Sequence, residues 1–190
     1  TQEIQEIRME QLMENWNDIK PKRGIINKQG EEVVPLKYDR VWYYHEGLAL
    51  VKLDNKYGFI NKKGEEVISL KYNDATGFKE GVSWINVKNK WGLIDVEGNE
   101  LVSAKYDHFK NFKEGLAGVA IGEGDPQEGT WGVINKNGRE VVPVMYEYVY
   151  DFSEGFAVVK FNGKWGYINQ EGKQVTQIKY SIAESFCSGF

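Results

Sequence analysis

Short runs of hydrophobic residues alternate with polar turn residues along most of the chain, and the last unit shows the pattern clearly. Phe156–Lys160 and Trp165–Asn169 are two such runs, and Asn162-Gly163 lies between them. Asn-Gly is the dipeptide most favoured in two-residue hairpin turns of type I′, so the two runs predict paired antiparallel strands. Gln174–Thr176 predicts a third strand, and Tyr180–Gly189 predicts a loop that returns to the next unit. One unit is therefore predicted to be a three-stranded antiparallel meander.

The same pattern recurs five times at fixed spacing. An anchor glycine stands within the second predicted strand of every unit, at Gly24, Gly58, Gly92, Gly132 and Gly166. A turn glycine follows six residues later, at Gly30, Gly64, Gly98, Gly138 and Gly172. A tyrosine follows fourteen residues after each anchor, at Tyr38, Tyr72, Tyr106, Tyr146 and Tyr180. The period is 34 residues, as from Gly24 to Gly58, apart from an insertion at Glu123–Glu128. Regular spacing of this kind predicts a repeat protein.

Three columns of the repeat are predicted to form the core. They are an invariant isoleucine two residues after each anchor, an apolar pair such as Val141 and Val142, and a loop aromatic in each unit. The isoleucines are Ile26, Ile60, Ile94, Ile134 and Ile168, and the aromatics are Tyr44, Phe78, Phe112, Phe152 and Phe186. A small sheet cannot bury its apolar face alone, so the units must stack. We therefore predict an all-β repeat array, an open solenoid-like stack with a closed five-bladed, propeller-like ring as the alternative.

Glycine within a strand indicates a bulge or a close approach of another backbone segment. Each anchor glycine is therefore predicted to lie where a side chain has no room.

The first 21 residues follow a different pattern. Ile4, Ile7, Leu12, Trp16 and Ile19 fall near helical spacing with glutamates between them, and Pro21 ends the run. We predict a short amphipathic helix over 1–21 that caps the first repeat or links to it, with a partner-binding helix as the alternative. The repeat domain is predicted to span 22–190.

Charge and composition exclude several classes of function. The net charge is −4 and no basic stripe is present, which argues against a nucleic-acid partner. No apolar run is long enough to span a membrane, and the single cysteine, Cys187, excludes an intramolecular disulfide. The chain begins with Thr1, so the sequence is compatible with a cytoplasmic location or with export if an upstream signal has been removed.

The sequence predicts no catalytic residue, metal site or cofactor. His45 and His108 occupy different repeat columns, and no phosphate-binding loop or nucleophile motif is present. Carboxylates recur before the loop glycine (Glu46, Glu80, Glu114, Glu154) and after the tyrosine (Asp39, Asp107, Glu147). We interpret both sets as solvated turn residues in preference to a cation-binding ring. The insertion is interpreted as a mobile acidic surface loop rather than a binding face.

The pairs Trp91-Gly92, Trp131-Gly132 and Trp165-Gly166, with Tyr57-Gly58 as a variant, resemble the bacterial WG (KWG) repeat. The rest of that signature is also present, with Ile-Asn/Asp-x-x-Gly, two aliphatic residues, Tyr-Asp and Phe-x-x-Gly. The resemblance extends over 22–190, and only the first unit departs from it, with Arg23-Gly24. It implies a β-rich module of a larger bacterial protein without catalytic residues.

Five aromatic residues lie outside the repeat consensus, and such residues are favoured at binding surfaces. They are Trp42, Tyr43, Trp84, Tyr148 and Tyr150. We expect a non-enzymatic module that binds or scaffolds a protein partner through these side chains. The alternative is a cell-surface module that binds cell-wall saccharide or choline, because 162–169 looks like the aromatic hairpins of choline- and glucan-binding repeats. The anchor glycine stands where those hairpins have a second aromatic residue, which weakens the alternative.

Overall fold

A computed structural model describes residues 21–122, 124–125 and 129–186, and all regular secondary structure in these residues is β. The helix predicted at 1–21 lies outside the described residues except for Pro21. Most of the insertion predicted to be a mobile loop lies outside them as well. No helix in the described part of the chain is long and apolar enough to cross a membrane.

The strands form five antiparallel sheets, and each sheet follows the previous one along the chain. Sheet 1 contains β1 (Arg23–Ile26) and β2 (Glu32–Tyr38). Sheet 2 contains β3 (Arg40–His45), β4 (Leu48–Leu53), β5 (Lys56–Asn61) and β6 (Glu66–Tyr72). Sheet 3 contains β7 (Asp74–Ala75), β8 (Val82–Val87), β9 (Lys90–Asp95) and β10 (Glu100–Tyr106). Sheet 4 contains β11 (His108–Phe109), β12 (Leu116–Ile121), β13 (Thr130–Asn135) and β14 (Glu140–Tyr146). Sheet 5 contains β15 (Tyr148–Val149), β16 (Phe156–Phe161) and β17 (Lys164–Asn169).

The chain divides into two compact units, one ending at Lys71 and one beginning at Tyr72. Sheets 1 and 2 lie in the first unit, apart from the last residue of β6, and sheets 3 to 5 lie in the second. The prediction of an all-β repeat array is therefore confirmed for the described residues.

The prediction of three-stranded meanders is wrong, because sheets 2, 3 and 4 each have four strands. The additional strand directly follows the repeat tyrosine, where a loop is predicted. In sheet 3 it pairs through Asp74 with Asn86 and through Ala75 with Ile85. In sheet 5 the predicted strand Gln174–Thr176 is reduced to isolated bridges. β2 and β14 at the same repeat position are packed against a following sheet, whereas no described residues form a sheet after sheet 5.

The predicted turns are confirmed. Asn162 and Gly163 both have positive φ, 49° and 71°, as a type I′ turn requires. In the turn before β6, the side-chain oxygen of Asn61 accepts hydrogen bonds from the amides of Lys63 at 2.9 Å and Glu65 at 3.1 Å. Gly64 closes that turn at φ 80°, a conformation that glycine adopts without strain.

The close approach at the anchor glycines is also confirmed. A Cβ atom at Gly132 would lie 2.7 Å from the carbonyl oxygen of Val142 and 2.9 Å from the amide nitrogen of Val144. The pairing of β13 with β14 is irregular at this point, because Val133 faces Val142 whereas Trp131 faces Tyr146. The anchor glycine therefore lets the two backbones cross closely at a bulge.

The invariant isoleucine joins consecutive sheets. Ile134 packs in one buried cluster with Val102 and Tyr106 of the preceding sheet, and Ile168 packs in the same way with Tyr146. Ile60, Ile94, Ile134 and Ile168 are buried, as predicted. The prediction is wrong for Ile26, which is exposed because no described sheet precedes sheet 1.

The burial of the loop aromatics also depends on their position along the chain. Phe78, Phe112 and Phe152 are buried, as predicted. Tyr44 is only partly buried and Phe186 is exposed, so the core prediction is wrong for Phe186.

The carboxylates that precede the loop glycine are exposed, with positive φ, as expected of solvated turn residues; they are Glu46, Glu80, Glu114 and Glu154. Some members of both sets also accept hydrogen bonds from the backbone. Asp39 accepts a hydrogen bond from the Asp54 amide at 2.8 Å, and Glu147 accepts one from the Gly163 amide at 2.9 Å. Each bond fixes a hairpin turn of its own sheet. Glu114 instead reaches the next sheet, where it accepts a hydrogen bond from the Gly155 amide at 2.9 Å.

A lysine, a tyrosine and a glutamate form a polar contact across the junction of sheets 3 and 4. Glu140 accepts hydrogen bonds from Lys105 Nζ at 2.9 Å and from the Tyr106 hydroxyl at 3.0 Å. Lys37, Tyr38 and Glu66 form the same arrangement between sheets 1 and 2. The hydrogen bond from Lys105 lowers the pKa of the Glu140 carboxyl below its ordinary value of 4.5.

Substitution Glu140→Gln is expected to lower the free energy of unfolding at neutral pH by about 1 kcal/mol, because a charge-assisted but partly exposed contact is weakened. A carboxyl with a depressed folded-state pKa stabilises above the unfolded-state pKa, and this contribution is lost as the pH falls through the folded-state pKa. The deficit of the variant should therefore shrink as the pH falls below 4.5 and be lost once the pH is below the depressed folded-state pKa. Urea denaturation at neutral and acidic pH measures it, with Glu97→Gln, an exposed turn residue, as control. An equal deficit at both pH values would contradict this assignment.

Candidate aromatic binding surface

Three cavities of the second compact unit share Tyr148 as a lining residue. The first has a volume of about 440 Å³ and is lined by Tyr148, Tyr150 and Trp165 together with Glu147, Lys160 and three others. The second, of about 870 Å³, adds Asn111, Asp151 and Ser153. The third, of about 310 Å³, adds Trp91 and Trp131 and shares Phe109 with the second. The cavities therefore surround one aromatic surface carried by sheets 3, 4 and 5.

Strand β15 and the residue that follows it place two tyrosines on the same side. Tyr148 and Tyr150 flank Val149, which is buried, and successive side chains of a strand point to opposite faces. The rings of Tyr148 and Tyr150 lie 5.1 Å apart in an edge-to-face arrangement. This geometry is favourable for aromatic pairs and holds both rings in place.

Two repeat tryptophans extend the tyrosine pair. Trp131 lies 5.6 Å from Tyr148, and Trp165 lies 5.8 Å from Tyr150, measured between ring centroids. Trp131 is buried, whereas Trp165 is partly exposed and Tyr150 is exposed. The repeat tryptophan is therefore a buried support for Tyr148 in one sheet, at Trp131, and an accessible ring beside Tyr150 in the next, at Trp165.

Lys110 lies at the centre of these rings. Its Nζ is 4.2 Å from the ring centroid of Tyr148, 4.9 Å from that of Trp131 and 5.7 Å from that of Tyr150. The same nitrogen donates a hydrogen bond to the carbonyl oxygen of Val149 at 2.6 Å. A cation over aromatic faces is stabilised by about 0.5–2 kcal/mol. The Lys110 cluster, defined as Lys110, Trp131, Tyr148, Tyr150 and Trp165, therefore holds its own cation.

Gly118 makes room for this arrangement. Its column contains Leu50, Trp84 and Val158 in the other complete sheets, and all three are buried. A Cβ atom at Gly118 would lie 3.3 Å from Cδ of Lys110 and 3.3 Å from Cε3 of Trp131. The missing side chain thus leaves the space in which Lys110 and Trp131 pack.

The charged groups at the rim are paired. Lys160 lies 3.6 Å from Glu147 in an ion pair and 5.6 Å from the ring centroid of Trp165. Lys113 pairs with Asp151 at 3.2 Å. At the third cavity, a hydrogen bond from the Gly122 amide, followed by one from Lys90, lowers the pKa of the Asp107 carboxyl. In the described parts of the chain, no group of three His, Cys, Asp or Glu side chains is arranged to hold a metal ion.

The structure brings together two of the five aromatic residues singled out in the sequence, Tyr148 and Tyr150. Trp84 is buried and stacks on Phe109 at 4.5 Å, so it does not belong to an accessible surface. Trp42 and Tyr43 lie in the first compact unit, where Trp42 contacts Tyr57 at 5.8 Å and Tyr43 is exposed. Sequence reasoning missed Lys110 and Gly118. The signal for Gly118 is a glycine in a column that is otherwise bulky and apolar.

Comparison with known protein families gives one result that covers nearly the whole chain. The model of the WG containing repeat matches at 24–57, 57–91, 91–123, 131–165 and 165–190. A comparison with curated proteins found no match. The matched segments begin at or beside the anchor glycines and share their period. With five consecutive matches that agree with the observed sheets, the chain belongs to the WG-repeat family.

Proposed function

We propose that this chain is a non-enzymatic binding module that presents the Lys110 cluster to a protein partner. The observation that carries the proposal is the exposed Tyr150 ring, held against Trp165 beside a cavity of about 440 Å³. Rigid Tyr and Trp side chains in a partly desolvated cleft are the commonest energetic centres of protein interfaces. The cluster rests on strands of sheets 4 and 5, so it needs little ordering on binding.

The lining of the cavity favours binding over catalysis. Glu147 and Lys160, its charged residues, pair with each other. A catalytic site would need a group poised to transfer a proton or attack a substrate. The rings instead supply contact area, and the paired charges form a polar rim of the kind found around protein interfaces.

A saccharide ligand is the second candidate, and the cavity of about 870 Å³ favours it. Asn111, Asp151 and Ser153 line that cavity together with Tyr148 and Tyr150. Polar side chains around aromatic faces suit a sugar ring, which stacks through its apolar face and hydrogen-bonds through its hydroxyls. Choline fits less well, because Lys110 already occupies the position of a cation among the rings.

Substitution Tyr150→Ala tests the proposal. We expect the immobilised chain to retain a protein from an extract of its source organism, and Tyr150→Ala to weaken that complex at least about tenfold, as for an interface hot spot. Isothermal titration with the purified partner measures the loss. Tyr43→Ala, which removes an equally large exposed ring from the first compact unit, is the matched control. Equal retention by both variants would contradict the proposal.

Tryptophan fluorescence separates the two candidates. Saturable quenching by cell-wall saccharide fragments, lost in Tyr150→Ala and kept in Tyr43→Ala, would assign the surface to carbohydrate. The protein proposal expects no such quenching. Circular dichroism of both variants establishes that the fold is retained.

A further inference from the structure

Every junction between neighbouring sheets of one compact unit is built from two unlike faces. At the junction of sheets 3 and 4, the later sheet contributes Ile134, Gly138 and Glu140. Ile134 packs with Tyr106, and Glu140 bonds to Lys105 and Tyr106. At Gly138 a Cβ atom would lie 2.4 Å from the carbonyl oxygen of Leu101. The isoleucine, the turn glycine and the glutamate of one sheet therefore dock on the last strand of the sheet before it, which carries the lysine and the tyrosine.

Sheet 1 presents the first of these faces with no described partner. Ile26 is 67% exposed, whereas the isoleucines of the other four units are at most 1% exposed. A Cβ atom at Gly30 would have no neighbour within 4 Å. Glu32 is exposed, and its side chain makes no hydrogen bond or ion pair with the described residues. We call Ile26, Gly30 and Glu32 the head face.

The segment after β17 presents the second face in the same unoccupied state. Tyr180 is 41% exposed, whereas the tyrosines of the other four units are at most 7% exposed. Val175 is exposed at the position of Leu101, and Lys179 is exposed at the position of Lys105. We call Val175, Lys179 and Tyr180 the tail face.

The polar residues of the two faces match each other. At the junction of sheets 4 and 5, Met145 replaces the lysine and Gln174 replaces the glutamate, so both partners of the ion pair are changed together. Lys179 and Glu32 keep the charges of the complete junctions, although neither forms an ion pair with a described residue; Lys179 Nζ lies 5.7 Å from the ring centroid of Tyr180. The head face therefore carries the glutamate, and the tail face the lysine, that form the ion pair in the junction of sheets 3 and 4.

We propose that the head face of one molecule docks on the tail face of a second copy and rebuilds the junction between sheets. Ile26 covers Tyr180, and Glu32 accepts hydrogen bonds from Lys179 and from the Tyr180 hydroxyl. The turn at Gly30 lies against the backbone at Val175. Because the two faces differ, the contact is heterologous and propagates from copy to copy.

Sedimentation velocity of the 190-residue chain over about a hundredfold range of concentration tests the proposal. The average mass should rise with concentration. Substitution Ile26→Glu buries an unpaired charge in the contact, so this variant should remain monomeric over the same range. Ile121→Glu is the matched control, because Ile121 is also exposed but lies at the end of β12, outside both faces, and it should associate like the wild type.

Charge reversal tests the pairing itself and does not depend on the apolar contact. Glu32→Lys alone and Lys179→Glu alone place like charges opposite each other and should weaken association at least about tenfold. An equimolar mixture of the two variants, or the double variant, restores opposite charges at each contact and should restore association. A wild-type mass that stays monomeric at every concentration would overturn the proposal. Association of the double variant that is no stronger than that of either single variant would overturn it as well.

Discussion

Substitution Gly132→Ala is expected to lower the free energy of unfolding by about 3 kcal/mol, the cost of forcing atoms into a tightly packed site. The added Cβ would meet the backbone of β14, 2.7 Å from the Val142 carbonyl oxygen and 3.0 Å from the Pro143 carbonyl carbon. Backbone atoms cannot rotate away as the end of a side chain can, so the two strands must separate. Urea denaturation should show a lower midpoint with an unchanged slope, because a loss of stability alone leaves the slope constant.

Gly115→Ala is the matched control for this substitution. Gly115 directly precedes β12 of the same sheet and has φ 78°, but a Cβ atom there would have no neighbour within 4 Å. Its replacement should cost only the strain of a left-handed conformation, about 1 kcal/mol. A loss at Gly115 that equals or exceeds the loss at Gly132 would show that conformation, rather than close approach, explains the anchor column.

The repeat could be predicted from sequence because its invariant residues meet structural requirements that few other residue types can meet. Positive φ at the turn after Asn61, and the backbone crossing at Gly132, both require glycine or nearly so. The short strands β7, β11 and β15 could not be predicted. The first residue of these strands differs in type from repeat to repeat: Asp74, His108 and Tyr148. A strand of two residues pairs through its backbone and is too short to show a hydrophobic period.

The binding surface could be predicted only in part. Tyr148 and Tyr150 departed from the repeat consensus and do lie together, whereas Trp84 departed from it and is buried. A large residue outside the consensus can fill the core of a single sheet as well as extend a surface, and sequence does not distinguish the two. Lys110 was missed because its column holds Trp42, Thr76 and Tyr150, which share no chemistry.

Gly118 accounts for the different roles that the repeat tryptophans have in neighbouring sheets. Leu50, Trp84 or Val158 fills its position elsewhere, and the tryptophans Trp91 and Trp165 are partly exposed. In sheet 4 the missing side chain lets Trp131 become buried, and Lys110 lies over its ring. One column of the motif therefore has two structural roles, set by a residue on the adjacent strand.

Replacement of the same tryptophan in two units should consequently have unequal effects. Trp131→Ala is expected to lower the free energy of unfolding by about 4 kcal/mol, because a side chain only 2% exposed is removed and a cavity remains. Trp165→Ala removes a partly exposed ring and should cost about half as much. Urea denaturation monitored by far-ultraviolet circular dichroism compares them without relying on tryptophan fluorescence. Equal losses would contradict the role given to Gly118. That role predicts that the burial of each tryptophan ring, and not its shared place in the motif, sets the loss of free energy of unfolding.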